Sequence, residues 1–180
     1  MTDPIYPAPP EADRRTAAMI RVDHAGEYGA TRIYAGQLAV LGRGENAPLL
    51  RHMLAQEQAH LATFSAMVAE RGVRPTVLLP FWHVAGYVLG AATAALGTKA
   101  AMACTVAVEE AIDAHYRAQR EALPESEAAL AATIETFRAE ELEHRDTGLA
   151  HGAKQAPLYS LLSRAIKSAC RVAIAVSEAV

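Results

Sequence analysis

Twice in this chain a glutamate is followed three residues later by a histidine, at Glu57-Gln58-Ala59-His60 and at Glu141-Leu142-Glu143-His144. On an α-helix, residues at i and i+3 share a face with Cβ atoms ~5–6 Å apart, close enough to serve one metal ion. Two such helices, completed by one carboxylate from each of two further helices, form the inward-facing ligand set of a di-iron carboxylate bundle. A lone Glu-x-x-His is weak evidence, and the full constellation of two with two further carboxylates is much stronger.

The hydrophobic periodicity supplies the four helices. A first periodic segment runs from after Pro10 to about Leu41, with Ile20, Glu27, Ala30, Tyr34, Leu38 and Leu41 on one stripe. Gly42 to Asn46 reads as a turn, with Asn46 as N-cap and Pro48 in the first turn of a second helix that reaches about Arg71. Its apolar stripe, Leu50, Met53, Leu54, Leu61 and Phe64, is interrupted by Glu57 and His60. A later helix spans about Thr98 to Leu123, where Pro124 stops it, and its inward stripe is Met102, Thr105, Val106, Glu109, Ile112 and Tyr116. Ser126 is placed to cap the next helix, which runs to about His151 and aligns Leu130, Ile134 and Phe137 with Glu141 and His144. By phase, Glu110 and Glu143 belong to the solvated sides.

The two halves repeat. Tyr34 follows Glu27, and Tyr116 follows Glu109, at the same spacing, and each such helix precedes one carrying Glu-x-x-His. The expectation is one six-ligand site in which Glu27, Glu57 and His60 hold one metal, Glu109, Glu141 and His144 hold the other, and Glu57 and Glu141 bridge. Ionised carboxylates are almost never buried without partners. Four of them balance the charge of two Fe(II) ions, whereas zinc favours closed sites richer in His or Cys. Iron or manganese fits the donor set.

Two hydrophobic segments remain. Val77 to Gly97 contains no Asp, Glu, Lys or Arg, has His83 as its one residue that ionises near neutral pH and is about long enough to span a bilayer, but Pro80 and its Gly, Ala and Thr content suit a buried or half-inserted helix better. After Pro157 a last helix places Leu158, Leu161, Leu162, Ala165, Ile166, Ala169, Val172 and Val176 on one sector and Arg164, Lys167 and Arg171 on a basic stripe. That pattern belongs to a helix lying in the headgroup plane or completing the core. Hydrophobic residues make up 52% of the chain and aromatics 6%, so alanine carries much of the apolar surface and helices can pack closely. A net charge of −3 with dispersed basic residues argues against nucleic-acid binding, and two cysteines outside any CxxC pair argue against a disulfide framework. Residues 1–12 read as a disordered lead-in with neither signal-peptide nor transit-peptide character, and residues 13–180 as one domain.

The stretches RVDHAGEYGATRIYAGQLAVLG, RPTVLLPFWHVAGYVLGAATAALG, AAMACTVAVEEAI and FRAEELEHRDTGLAHGA carry a resemblance to the demethoxyubiquinone hydroxylase family of ubiquinone biosynthesis, covering about Ala17 to Glu178. The family's six iron ligands fall on Glu27, Glu57, His60, Glu109, Glu141 and His144. The resemblance implies an all-α, ferritin-like four-helix bundle with two additional hydrophobic helices. It also implies an O₂-dependent di-iron monooxygenase that hydroxylates the ring of a prenylated demethoxy-quinol at an inner membrane. With no clear mitochondrial targeting segment, the expected place is the cytoplasmic face of a bacterial inner membrane, the mitochondrial inner membrane being the alternative. The chain has no nucleotide or flavin fingerprint, so electrons must come from an external reductant such as NADH, a reductase or the quinol itself. Homo-oligomerisation and partner proteins of ubiquinone biosynthesis stay open.

Around the ligands, Gln56 and Glu140 each lie four residues before a ligand histidine and are candidates to hold its distal nitrogen. Tyr34 and Tyr116 are candidates to orient a ligand or relay a proton, or else fill the core. His24, three residues before Glu27, reads as a helix-start residue, and His52, His115 and His151 read as peripheral. Two other functional classes use similar sequences, a ferritin-like iron store or peroxidase and a non-catalytic membrane-associated bundle. The first does not need the long apolar segment, and the second leaves the buried carboxylates unexplained.

Overall fold

The structure, a computed structural model, describes residues 11–180. Most of the expected lead-in therefore lies outside the described residues. Six α-helices follow one another: α1 Glu11–Leu41, α2 Ala47–Glu70, α3 Leu79–Ala95, α4 Thr98–Ala122, α5 Ala128–Ala150 and α6 Tyr159–Ala179. Short 3₁₀ turns at Glu125–Glu127 and Ala153–Gln155 lead into and out of α5, and the described residues contain no strand. The fold is all-α, a ferritin-like four-helix bundle of α1, α2, α4 and α5 with α3 and α6 added outside it.

Two hairpins, α1/α2 and α4/α5, are tightly packed within themselves and meet across a wider gap bridged by side chains. Apolar clusters close the two ends of that gap. Tyr34, Leu50, Met53, Met102 and Val106 fill one end, and Ile20, Phe64, Tyr116, Leu130 and Ile134 the other. Alanine does what the composition suggests in α4, which is buried continuously from Ala100 to Glu109 because other elements pack on all its sides.

The outer helices meet some expectations and correct others. α3 lies along α1 on glycine contacts so close that a Cβ at Gly90 would stand 1.9 Å from the Ile33 carbonyl oxygen and one at Gly36 2.1 Å from that of Tyr87. No helix among the described residues is long and apolar enough to cross a membrane. Of the α3 aromatics, Phe81 is exposed, but Trp82 turns inward and its Nε1 donates to Ser177 Oγ on α6 at 3.0 Å. On α6 the buried line is Ser163, Ile166 and Ser177, so the apolar sector is cut in two: Ile166 packs, while Leu158, Leu161, Val172 and Val176 stay exposed. Lys167 leaves the basic stripe to pair with Glu110 Oε2 at 2.7 Å, which makes Glu110 a partner in a half-exposed ion pair rather than a solvated residue. Asn46 occupies the N-cap position of α2 without a side-chain cap bond, and Ser126 lies inside the 3₁₀ turn rather than capping α5.

Candidate metal centre

The helical phases bring Glu27, Glu57, His60, Glu109, Glu141 and His144 together, all buried, in the gap between the hairpins. Their donor atoms form two overlapping tetrads, Glu27/Glu57/His60/Glu141 and Glu57/Glu109/Glu141/His144, each with all atoms within 4.8 Å of one another. Glu57 and Glu141 belong to both, the geometry a pair of shared ligands requires. Glu143 is exposed, in agreement with its phase.

Each imidazole directs Nδ1 inward and Nε2 outward. His60 Nδ1 lies 3.1 Å from Glu141 Oε1 and 3.5 Å from Glu27 Oε2, and His144 Nδ1 lies 3.1 Å from Glu57 Oε1 and 3.2 Å from Glu141 Oε2. The outward nitrogens are also held, His60 Nε2 by Glu140 Oε2 at 2.5 Å and His144 Nε2 by Gln56 Oε1 at 3.0 Å. Gln56 and Glu140 thus do hold distal nitrogens, but each serves the histidine of the opposite helix, not the one on its own. The outward nitrogen points across the gap, where the facing helix offers the nearer acceptor.

The tyrosines cross in the same way. Tyr34 Oη donates to Glu109 Oε1 at 3.1 Å, and Tyr116 Oη donates to Glu27 Oε1, so each reaches the carboxylate of the other half and does more than fill the core. On the flank, buried Asp23 accepts from Gln119 Nε2 at 2.8 Å and lies 3.3 Å from Nε2 of His115, which is therefore not peripheral. The available signal was Asp23's position one turn before Glu27 on the same face.

Burial, reinforced by the charges of neighbouring carboxylates, pushes Glu57 and Glu109 well above the ordinary carboxylate range, and burial also raises Glu27. For Glu141 burial acts in the same direction, but hydrogen bonds from His144 and His60 prevail and hold it at about 2. Burial alone would lower His60, yet Glu141, Glu27 and Glu140 together raise it to about 11. Glu57 Oε2 and Glu109 Oε2 are buried with no hydrogen-bond partner, and Glu27 Oε2 and Glu57 Oε1 are faced only by the inward Nδ1 atoms of His60 and His144, at 3.5 and 3.1 Å and outside hydrogen-bond geometry. Leaving such groups unmet costs about 1–3 kcal/mol each, more when charged. Divalent cations between the carboxylates and the inward Nδ1 atoms would satisfy all of them, so the residues present fit a pair of metal ions.

A second feature lies beside this centre. Between α1, α3, α4 and α6 is an apolar cavity of about 180 Å³, lined among others by Gly26, Gly29, Trp82, Gly86, Val108 and Ala173. Gly26 and Val108 adjoin Glu27 and Glu109 in the chain, and a Cβ built on Gly26 or Gly29 would meet nothing within 4 Å.

Fold and site together define a ferritin-like bundle protein with a buried four-carboxylate, two-histidine centre. Residues 14–177 match the family model described as "Ubiquinone biosynthesis protein COQ7". The chain is 64% identical over 162 residues to the 3-demethoxyubiquinol 3-hydroxylase of Rhodospirillum rubrum, covering 89% of this chain and 76% of that one. It is 56% identical over 164 residues to the mitochondrial NADPH-dependent 3-demethoxyubiquinone 3-hydroxylase of Rattus norvegicus, with the same coverage. With the mitochondrial 5-demethoxyubiquinone hydroxylase of Saccharomyces cerevisiae it shares 42% over 173 residues, covering 87% of this chain and 74% of the yeast protein. This chain belongs to the COQ7 family of ubiquinone biosynthesis proteins.

Proposed function

We propose that this protein is an O₂-dependent hydroxylase of ubiquinone biosynthesis that adds oxygen to the ring of a prenylated demethoxy-quinol. The observation that carries the reading is the pair of overlapping Glu/His tetrads with unmet carboxylate oxygens, in a chain so similar to proteins named as hydroxylases of this substrate class. Glu27, Glu57, His60 and Glu141 would hold one iron, and Glu57, Glu109, Glu141 and His144 the other. Bound there, two ferrous ions supply the electrons and the site for O₂ activation.

The chain's own residues do the rest. Tyr34 and Tyr116 fix the rotamers of Glu109 and Glu27 through their hydroxyls, and the two apolar end clusters exclude water from the centre. The cavity receives the ring: a cavity of ~150 Å³ is known to accommodate benzene, so about 180 Å³ suits one ring, with the prenyl tail leaving between α3 and α6. A water-insoluble substrate requires that exit to face lipid. Phe81, Val84 and Val88 of α3 and Val172 and Val176 of α6 are exposed on the two helices that line the cavity, which supports peripheral attachment to a membrane surface, in a bacterium the cytoplasmic face of the inner membrane. Reductant comes from outside the chain, and the mammalian relative's name specifies NADPH for that protein.

Purified protein should contain two irons per chain, and His60→Ala or Glu141→Ala should lose metal and ring hydroxylation together. Full iron content in both variants would refute the ligand assignment. Liposome flotation tests the membrane reading: the protein should float with anionic vesicles, float less as salt rises and be released by alkaline carbonate. Failure to float at low salt would refute it.

A further inference from the structure

The repeat that builds the centre is symmetric in its ligands and its tyrosines but not in the groups that hold its imidazoles. Aligning the hairpins sets Glu27 with Glu109, Tyr34 with Tyr116, Glu57 with Glu141 and His60 with His144, and it also sets Gln56 with Glu140. Each of these last two side chains reaches across the gap to the imidazole of the other half. His144 therefore leans on a neutral amide oxygen, while His60 leans on a carboxylate.

The two acceptors are not equivalent. A hydrogen bond to an ionised oxygen is shorter and roughly twice as strong as one between neutral groups, and the distances follow, 2.5 Å at Glu140 against 3.0 Å at Gln56. An imidazole that donates to a carboxylate is a more basic metal ligand at its other nitrogen, and its ring is held more firmly. Packing adds to the difference: Phe137 stacks on His60 with ring centroids 4.0 Å apart, whereas Tyr34 meets His144 edge-on at 6.1 Å.

We infer that the two metal positions are unequal, that the one served by His60 binds a divalent cation more tightly and fills first, and that Glu140 is the positioning residue responsible. This rests on the two-metal reading above. A half-loaded protein then carries its ion among Glu27, Glu57, His60 and Glu141.

Anaerobic calorimetric titration of the metal-free full-length chain with Fe(II), repeated with Co(II) as a spectroscopic probe, tests it. Wild type should show two binding events. Glu140→Gln makes the two halves alike and should weaken the first event by about 10–100-fold, the usual effect of losing such a partner. Gln56→Glu should narrow the gap from the other side by strengthening the second event. Glu143→Gln removes one charge from the exposed side of the same helix without touching an imidazole, and should leave both events unchanged. Circular dichroism confirms that each variant is folded. Two events of equal affinity in wild type, an unchanged first event in Glu140→Gln, or an equal loss in Glu143→Gln would overturn the inference while leaving the two-metal reading standing. A wild-type protein that binds no metal would overturn both.

Discussion

Glycine replacements separate packing from open space on a single helix pair. At Gly90 the added Cβ would lie 1.9 Å from Ile33 O and 2.8 Å from Ile33 C, against an ordinary contact that begins near 3.4 Å, so α3 must retreat from α1 by about 1.5 Å. The obstacle is backbone, and no rotamer change relieves it. Overpacking of this kind costs typically ~1–3 kcal/mol and sometimes more, and the severity here points to the upper end. Alanine recovers about 0.5–1 kcal/mol of helix propensity relative to glycine, which leaves a net loss of about 2–3 kcal/mol. At ~2–4 °C per kcal/mol for a chain of this size, Gly90→Ala should lower Tm by about 4–12 °C. Gly29 is the control: with nothing within 4 Å of its Cβ, Gly29→Ala keeps only the propensity gain and should raise Tm by about 1–4 °C. The same methyl would project into the cavity, so this more stable variant should hydroxylate a prenylated quinol more slowly at unchanged iron content. Thermal unfolding of equally metal-loaded proteins, followed by circular dichroism, measures both shifts. A Gly90→Ala variant as stable as wild type would refute the close backbone packing of α3. A destabilised Gly29→Ala would refute the open space.

The metal-free protein should lose stability as pH rises. Glu27, Glu57, Glu109, His60 and His144 are all shifted upward by folding, His60 to about 11, so between about pH 6.5 and 9 the folded chain binds more protons than the unfolded one. Stability then falls by about 1.4 kcal/mol per pH unit for each extra proton. Glu141, held at about 2, acts oppositely, but its contribution is lost only as pH falls below the ordinary carboxylate range. A melting temperature of chelator-treated protein that is flat or rising over this window would contradict the assignment. Glu110→Ala breaks an ion pair whose partners are each 35% exposed, which should cost no more than about 1 kcal/mol, and Glu143→Ala should cost less. Neither should change metal content, and loss of iron in either, by elemental analysis, would show the helical phase to be wrong.

The helical period alone puts Glu109 rather than Glu110, and Glu141 rather than Glu143, on the buried face, because a 3.6-residue repeat leaves one face for the core. Pro48, Pro124 and Pro157 and the Gly42 turn placed the helix ends to within a few residues for the same local reason. Pairings across the gap were decided only by the tertiary structure. Gln56 and Glu140 share a face with their own helix's histidine, yet they bond the opposite one, because imidazole Nε2 projects away from its helix toward the facing one. Asp23 and His115 read as unremarkable separately, and the buried carboxylate meets the half-buried imidazole only when α1 and α4 are laid side by side. α6 shows the limit most clearly. Its hydrophobic sector is evident in the sequence, but which edge of it is buried depends on where Trp82 and Glu110 stand on α3 and α4, since these offer Ser177 and Lys167 their partners and so set the helix's rotation.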